Sequence, residues 1–276
     1  MHNSGIIETN AYIISENPDA QGVFPTASVL NHSCVSNTMV FPQDDNTFTC
    51  RAVVDIKAGS ELTTNYLHYQ YSFFNTRYRQ GELARYWYFK CVCQLCQGDS
   101  GTECDEVDQQ WWKVIINTST QDIKDLLDLL NKLLEVFDET HYYVLEVKRR
   151  IMENLGQPLD NRYEDLSPAW LAKKVSYCRD HLAVQKCVSP GLSKYRAYIS
   201  SHIAEPLYWL AKKRYQENKS SMEELQKTMR EVAEHLATVI DIWGQFRESS
   251  SERITAENAR IFLHVVNCNY LQQNKR

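Results

Sequence analysis

No stretch of this chain approaches the ~18 consecutive apolar residues that a membrane-spanning helix needs. The first residues, Met1 to Thr9, lack a basic segment followed by an apolar core, so no secretory signal is expected. A clustered basic excess is also missing. Against 30 lysines and arginines stand 35 aspartates and glutamates, which leaves a net charge of −5 over 276 residues. That balance argues against a nucleic-acid footprint. The short basic runs Lys148-Arg149-Arg150 and Lys212-Lys213-Arg214 fall in helical stretches and are expected on solvated helix faces. These absences point to a cytoplasmic or nuclear protein without direct membrane or nucleic-acid partners. In such a reducing compartment, nine cysteines are more consistent with metal binding than with disulfides.

What is present divides in two. Residues 1–104 mix short segments with turns, and residues 105–276 read almost wholly as helix. Apolar residues make up 43% of the chain, enough for a sizeable core. In the first region Thr38–Phe41 and Thr47–Val54 are expected as strands across the polar turn Pro42–Asn46, with a further short strand at Glu61–Thr64. Asn75–Tyr86 is expected as a helix. In the second region Ile123, Leu126, Leu127, Leu130, Leu134 and Phe137 form a stripe at helical spacing, with Thr120 as N-cap. Ser167-Pro168 opens a helix toward Lys186. Met222, Leu225, Met229, Val232, Leu236, Val239 and Trp243 form another stripe behind a Ser221/Glu224 capping box. A second box is expected at Ser249/Glu252, before Ile261, Leu263 and Val265. Together these imply an α+β chain: a small β-rich part followed by a helical bundle or solenoid of tetratricopeptide-like shape, able to hold a protein partner.

Cys91, Cys93 and Cys96 place three thiols within six residues, which suits a structural zinc site closed by a fourth ligand. Cys104 is near in sequence and closes the shorter loop, while Cys34 is the alternative. Cys50, Cys178, Cys187 and Cys268 are scattered and are expected to pack as small hydrophobes.

The segments Asn10-Ala11-Tyr12-Ile13, Gly22 to Leu30, Asn31-His32-Ser33-Cys34-Val35-Ser36-Asn37, Arg51 to Tyr66 and Cys91-Val92-Cys93-Gln94-Leu95-Cys96 follow one another in this order. Together they resemble the SMYD group of SET-domain proteins. Pro190 to Lys194 is similar to the helical C-terminal domain of that group. The resemblance implies residues 1–74 as the C-terminal part of a SET domain, 75–104 as a post-SET zinc segment and 105–276 as the helical domain. It implies transfer of a methyl group from S-adenosylmethionine to a protein or peptide lysine. It makes Cys34, rather than Cys104, the fourth zinc ligand with Cys91, Cys93 and Cys96. It assigns Asn10, Asn31, His32 and Phe89 to the cofactor, His32 through its backbone, and makes Tyr66 the active-site tyrosine. Trp87 stands where the group more often has tyrosine. Two departures bear on activity. No Gly-x-Gly turn of the N-terminal SET lobe occurs here, and a single Cys cluster leaves no MYND module. The reading opposed to an active methyltransferase is therefore an interaction scaffold that retains a SET remnant and binds a partner through its helices.

Overall fold

The computed structural model describes residues 2–13, 21–45, 47–98, 106–118, 122–156, 162–189 and 191–271. The architecture is α+β, with three small sheets and a majority of helix. The chain separates into two compact units. The first comprises Met1–Gly101, Gln185–Tyr195 and Asp241–Glu257, and the second Thr102–Val184, Arg196–Ile240 and Asn258–Arg276.

The first unit opens with helix α1 (His2–Asn10). No apolar stripe announces this helix. Its end is completed by side chains instead, with Thr9 Oγ1 donating to Gly5 O at 2.9 Å and Asn10 Nδ2 to Ile6 O at 3.0 Å. Strands β1 (Ala11–Ile13) and β2 (Gln21–Val23) pair antiparallel. Strands β4 (Thr38–Pro42) and β5 (Phe48–Ala52) form the expected hairpin, in register from Thr38↔Ala52 to Pro42↔Phe48. Its turn is held by Asp45 Oδ1, which accepts from Thr47 N at 3.0 Å and Thr47 Oγ1 at 2.6 Å. Between these sheets, β3 (Asn31–His32) runs parallel to β6 (Thr63–Thr64).

Helix α2 (Thr76–Trp87) starts where expected, with Asn75 Oδ1 accepting from Tyr78 N at 2.8 Å. It buries Thr76, Arg79 and Leu83, one face at helical spacing. It ends at Tyr88, which adopts the left-handed conformation (φ 62°) that closes a helix and redirects the chain. Helix α3 (Gln94–Gly98) carries the last cysteine of the cluster.

The second unit holds a core of Ile115, Leu126, Leu129, Leu130, Leu133, Tyr143, Val147 and Ile151, among others. It is built by α4 (Glu106–Asn117), α5 (Ile123–Leu134), α6 (Tyr142–Asn154) and the larger part of α7 (Pro168–Val188). Helices α8 (Lys194–Gln216), α9 (Met222–Trp243) and α10 (Ser251–Val266) follow, and a short π-helical turn covers Asn267–Leu271. The Ser221/Glu224 capping box is present in both directions, Ser221 N to Glu224 Oε2 at 2.7 Å and Glu224 N to Ser221 Oγ at 3.2 Å. Among the described residues no helix is long and apolar enough to cross a membrane.

Several expectations are corrected by packing. The cap of α5 is Asp122, whose carboxylate accepts from Lys124 N at 2.8 Å; Thr120 lies outside the described residues. The buried face of α5 runs through Leu129 and Leu133, while Leu134 is exposed, because a helix with six leucines in twelve residues offers two overlapping stripes. At α10 the cap is Ser250, which accepts from Arg253 N at 3.1 Å, and Ser249 instead reaches Asp44. Ile261 and Val265 of that helix are exposed, and Ala256, Ala259 and Val266 are buried. Cys50, Cys187 and Cys268 are exposed, and of the four scattered cysteines only Cys178 is buried.

The run Lys148-Arg149-Arg150 is not a solvated face. Lys148 is 3% exposed and pairs with Asp180 at 2.7 Å. Arg149 and Arg150 both clamp Glu146 Oε1 at 2.8 Å, and Arg149 also reaches Glu153 at 2.5 Å. These charges satisfy one another away from water, which leaves any single loss uncompensated. Glu146→Ala is therefore expected to lower the unfolding free energy by about 3–5 kcal/mol, read from the shift of the urea unfolding midpoint.

Candidate functional site

The parallel pairing of β3 with β6 brings Asn31-His32 beside Thr63-Thr64, and so places Tyr66 next to the Asn-His-Ser-Cys segment. Asn37 splints the same junction. Its Nδ2 donates to Glu61 O at 2.8 Å and its Oδ1 accepts from Thr63 N at 2.8 Å. Thr38 Oγ1 donates to Thr63 O at 2.8 Å, and Ser33 N to Thr64 O at 3.1 Å.

Tyr66 is held at both ends. Its hydroxyl donates to Leu30 O at 2.6 Å, and its backbone N–H donates to His32 Nδ1 at 3.0 Å. Its ring packs against His32, Trp87 and Phe89, with centroids 5.3, 5.5 and 6.4 Å away. Burial raises the phenol above its ordinary 10.0. His32 is lowered to about 4 by burial and then by the charge of Arg79, so its imidazole is neutral near pH 7.

The four thiols converge. The Sγ atoms of Cys34, Cys91, Cys93 and Cys96 all lie within 4.8 Å of one another. Cys34 Sγ is 3.6 Å from Cys96 Sγ and 4.0 Å from Cys91 Sγ. Zinc–sulfur bonds of about 2.3 Å in a tetrahedron separate sulfurs by about 3.8 Å, so the donor set fits a zinc ion with little movement. The electrostatics agree. Burial raises Cys34 strongly and pushes Cys91 up to about 11, while at Cys93 backbone and side-chain hydrogen bonds outweigh burial and bring it down to about 6. Four packed thiols cannot all ionise unless a cation joins them. Cys104, the local alternative, lies outside the described residues.

A cavity of about 730 Å³ opens in the same unit. Its wall mixes aromatic rings, including Tyr12, Tyr66, Tyr69 and Trp87, with polar residues such as Asn10 and Lys194. Lys194 sits over the rings of Phe41 and Phe246, 5.9 and 5.0 Å from their centroids, and burial lowers its amine. Gly191 permits this arrangement, since a Cβ there would lie 2.5 Å from Val53 O, and Leu192 N donates to that oxygen at 3.3 Å.

The structure thus gathers Asn10 and Tyr66 on the cavity wall. His32 and Phe89 touch Tyr66 without lining that cavity, their own centroids 5.9 Å apart. Asn31 is exposed, and its Nδ2 donates to Glu61 Oε1 at 2.6 Å. Sequence reasoning missed Arg79 and Lys194. The helical spacing of Thr76, Arg79 and Leu83 leading into the Cys cluster was the available signal for Arg79. For Lys194 the one signal was the resemblance of Pro190 to Lys194, which gave it no role beside Tyr66, 128 residues away (194 − 66).

A family model described as SET domain matches residues 5–67. Histone-lysine N-methyltransferase SET5 of Candida albicans is 40% identical over 79 residues, which is 28% of this chain and 16% of that protein. N-lysine methyltransferase SMYD2-B of Xenopus laevis is 27% identical over 139 residues, 49% of this chain and 31% of that protein. Histone-lysine N-methyltransferase SMYD1 of Homo sapiens is 29% identical over 113 residues, 35% and 22% of the two chains. In each case the match spans well under two thirds of the relative's length. The chain carries SET-domain sequence and has relatives in the SMYD family.

The raised phenol gives a pH dependence. A folded-state pKa above the unfolded value means that folding favours the protonated phenol. That contribution is complete below about pH 10 and is lost as pH rises through the folded pKa. Tyr66→Phe is expected to flatten the alkaline fall in stability, measured by chemical unfolding at a series of pH values above neutrality.

Proposed function

We propose that this chain transfers a methyl group from S-adenosylmethionine to the side-chain amine of a lysine in a protein substrate. The observation that carries the reading is the setting of Tyr66, whose hydroxyl proton is committed to Leu30 O while its ring stands on the wall of a cavity beside other aromatic rings. The phenol oxygen then keeps its lone pairs free to accept, which suits a polarised methyl group and an incoming amine.

S-adenosylmethionine, when bound, supplies the sulfonium methyl. Asn10, Asn31, His32 and Phe89 are the residues that would hold it, Phe89 by stacking and His32 through its backbone. Tyr66 orients the amine along the line of displacement, where most of the rate gain arises. The rings of Tyr12, Tyr69 and Trp87 exclude water and favour the uncharged amine that can attack. Carbon–sulfur bond breaking and carbon–nitrogen bond making are matched by loss of one proton from the amine to solvent. Cys34, Cys91, Cys93 and Cys96 hold a zinc ion that fastens the 75–104 segment to the 1–74 segment. Residues 105–276 form a tetratricopeptide-like helical domain available to a protein partner, and the protein acts in the cytoplasm or nucleus. SET5 and the SMYD relatives are named as lysine methyltransferases, and the SET-domain match over residues 5–67 includes Cys34 and Tyr66.

Calorimetric titration of S-adenosylmethionine into the zinc-loaded chain tests the reading. Micromolar binding that is lost in Asn31→Ala is expected, as is methyl transfer from a labelled donor to lysine-containing proteins that is abolished by Tyr66→Phe. A folded, zinc-loaded chain that binds no donor would overturn it.

Zinc uptake has its own signature. Because Cys34 and Cys91 are raised by burial, ion binding must release protons. One zinc per chain is expected, with affinity falling as pH is lowered, measured by competition with a chromophoric chelator across the neutral range.

A further inference from the structure

We propose that His32 and Arg79 form a fixed donor shell around the cysteine cluster, and that His32 is a positioning residue joining that cluster to Tyr66. The inference rests on the reading of the four cysteines as a zinc site and concerns residues outside the ligand set.

Arg79 is 4% exposed. One Nη donates to Phe74 O. The other donates to Thr76 Oγ1 at 2.9 Å and to Cys96 Sγ at 3.6 Å. Among the described residues it makes no ion pair with a carboxylate, and the cluster that could carry negative charge beside it is reached at Cys96 Sγ. A guanidinium is always charged and is costly to bury without an anion. Among the described residues, the groups beside it that can become anions are the thiols of the cluster, once a metal ion ionises them. A zinc ion with four thiolates carries a net charge of −2, and Arg79 offsets half of it.

His32 supplies the second donor. Its Nδ1 accepts the Tyr66 N–H at 3.0 Å and so bears no proton. The proton of the neutral ring is therefore on Nε2, which lies 3.3 Å from Cys34 Sγ. An N–H aimed at a thiolate is a charge-assisted hydrogen bond. The chain of contacts runs from the cluster through Cys34 and the imidazole to the backbone of Tyr66, whose hydroxyl is tied separately to Leu30 O. Occupancy of the cluster thereby sets the backbone position of Tyr66. Outer-shell partners of this kind typically change metal affinity by about 10–100-fold when removed.

The test uses the full chain. His32→Asn keeps an acceptor near the Nδ1 position and loses the donor to Cys34, and Arg79→Gln removes the cation. Each is expected to weaken zinc binding by about 10–100-fold in chelator competition. In tyrosine-labelled protein, the Tyr66 amide resonance, identified by its loss in Tyr66→Phe, should shift on zinc removal in the parent and stay still in His32→Asn. A histidine that merely supports the fold would not uncouple the two. Long-range proton–nitrogen spectra of the unsubstituted, zinc-loaded protein give the His32 tautomer directly, whether or not the variants fold. A proton on Nδ1 would overturn the proposal. So would parental zinc affinity in both variants, or an undiminished Tyr66 response in His32→Asn. A chain that takes up no zinc at all would instead overturn the zinc reading, and this proposal with it.

Discussion

The β3–β6 pairing is the constraint on which the site depends. Two residues of one strand lie parallel to two of another, thirty-two positions later in the chain (Asn31↔Thr63). So short a pairing supplies few hydrogen bonds of its own, and Asn37 makes up the deficit. Its single amide donates to one backbone carbonyl and accepts from one backbone N–H on the facing segment. With that junction closed, Cys34 and Tyr66 have no freedom to drift apart. Helix α2 then returns the chain, Tyr88 turns it in the left-handed conformation, and the remaining three thiols arrive at Cys34. The small core of Cys34, Leu67, Leu83, Cys91 and Cys96, with Tyr66, Trp87 and Phe89 against it, unites the candidate metal ligands and the candidate catalytic ring in one packing unit.

Buried charge recurs in both units and is met in different ways. Arg79 faces thiols. In the helical unit, Lys174 is fully buried, and its amine donates to Met152 O, Leu155 O and Tyr163 Oη at 2.8, 2.6 and 2.6 Å. Burial lowers that amine to about 8, so three neutral oxygens are its main compensation. Glu146 answers two arginines at once. In each case the partners converge from separate positions in the chain or from successive helical turns, so they act as geometric pins as well as charges.

Local chemistry was readable in the sequence wherever the partners were close. The Ser221/Glu224 box, the Asn75 start of α2 and the β4–β5 hairpin all rest on contacts within a few residues. Neighbouring alternatives were not separable by that means. Asp122 and Ser250 cap helices where Thr120 and Ser249 were expected, because capping depends on where packing allows the first turn to begin. The burial of Lys148 and the exposure of Leu134 reverse the usual hydropathy order, since the deciding partners, Asp180 and the facing helices, are distant in sequence.

The sequence alone determined which residue types are available to the chemistry: three closely spaced thiols, an Asn-His-Ser-Cys segment and a tyrosine after a short strand. Their order and spacing suffice for that, because ligand sets and strand patterns are local. Tertiary structure brought Cys34 to the other three cysteines, as the resemblance implied, and it alone decided that Arg79 and His32 face them and that Lys194 shares a cavity with Tyr66. These are contacts across tens to more than a hundred residues, and what selects them is the joint packing of apolar faces and the need of each buried polar group for a partner, which no single segment carries.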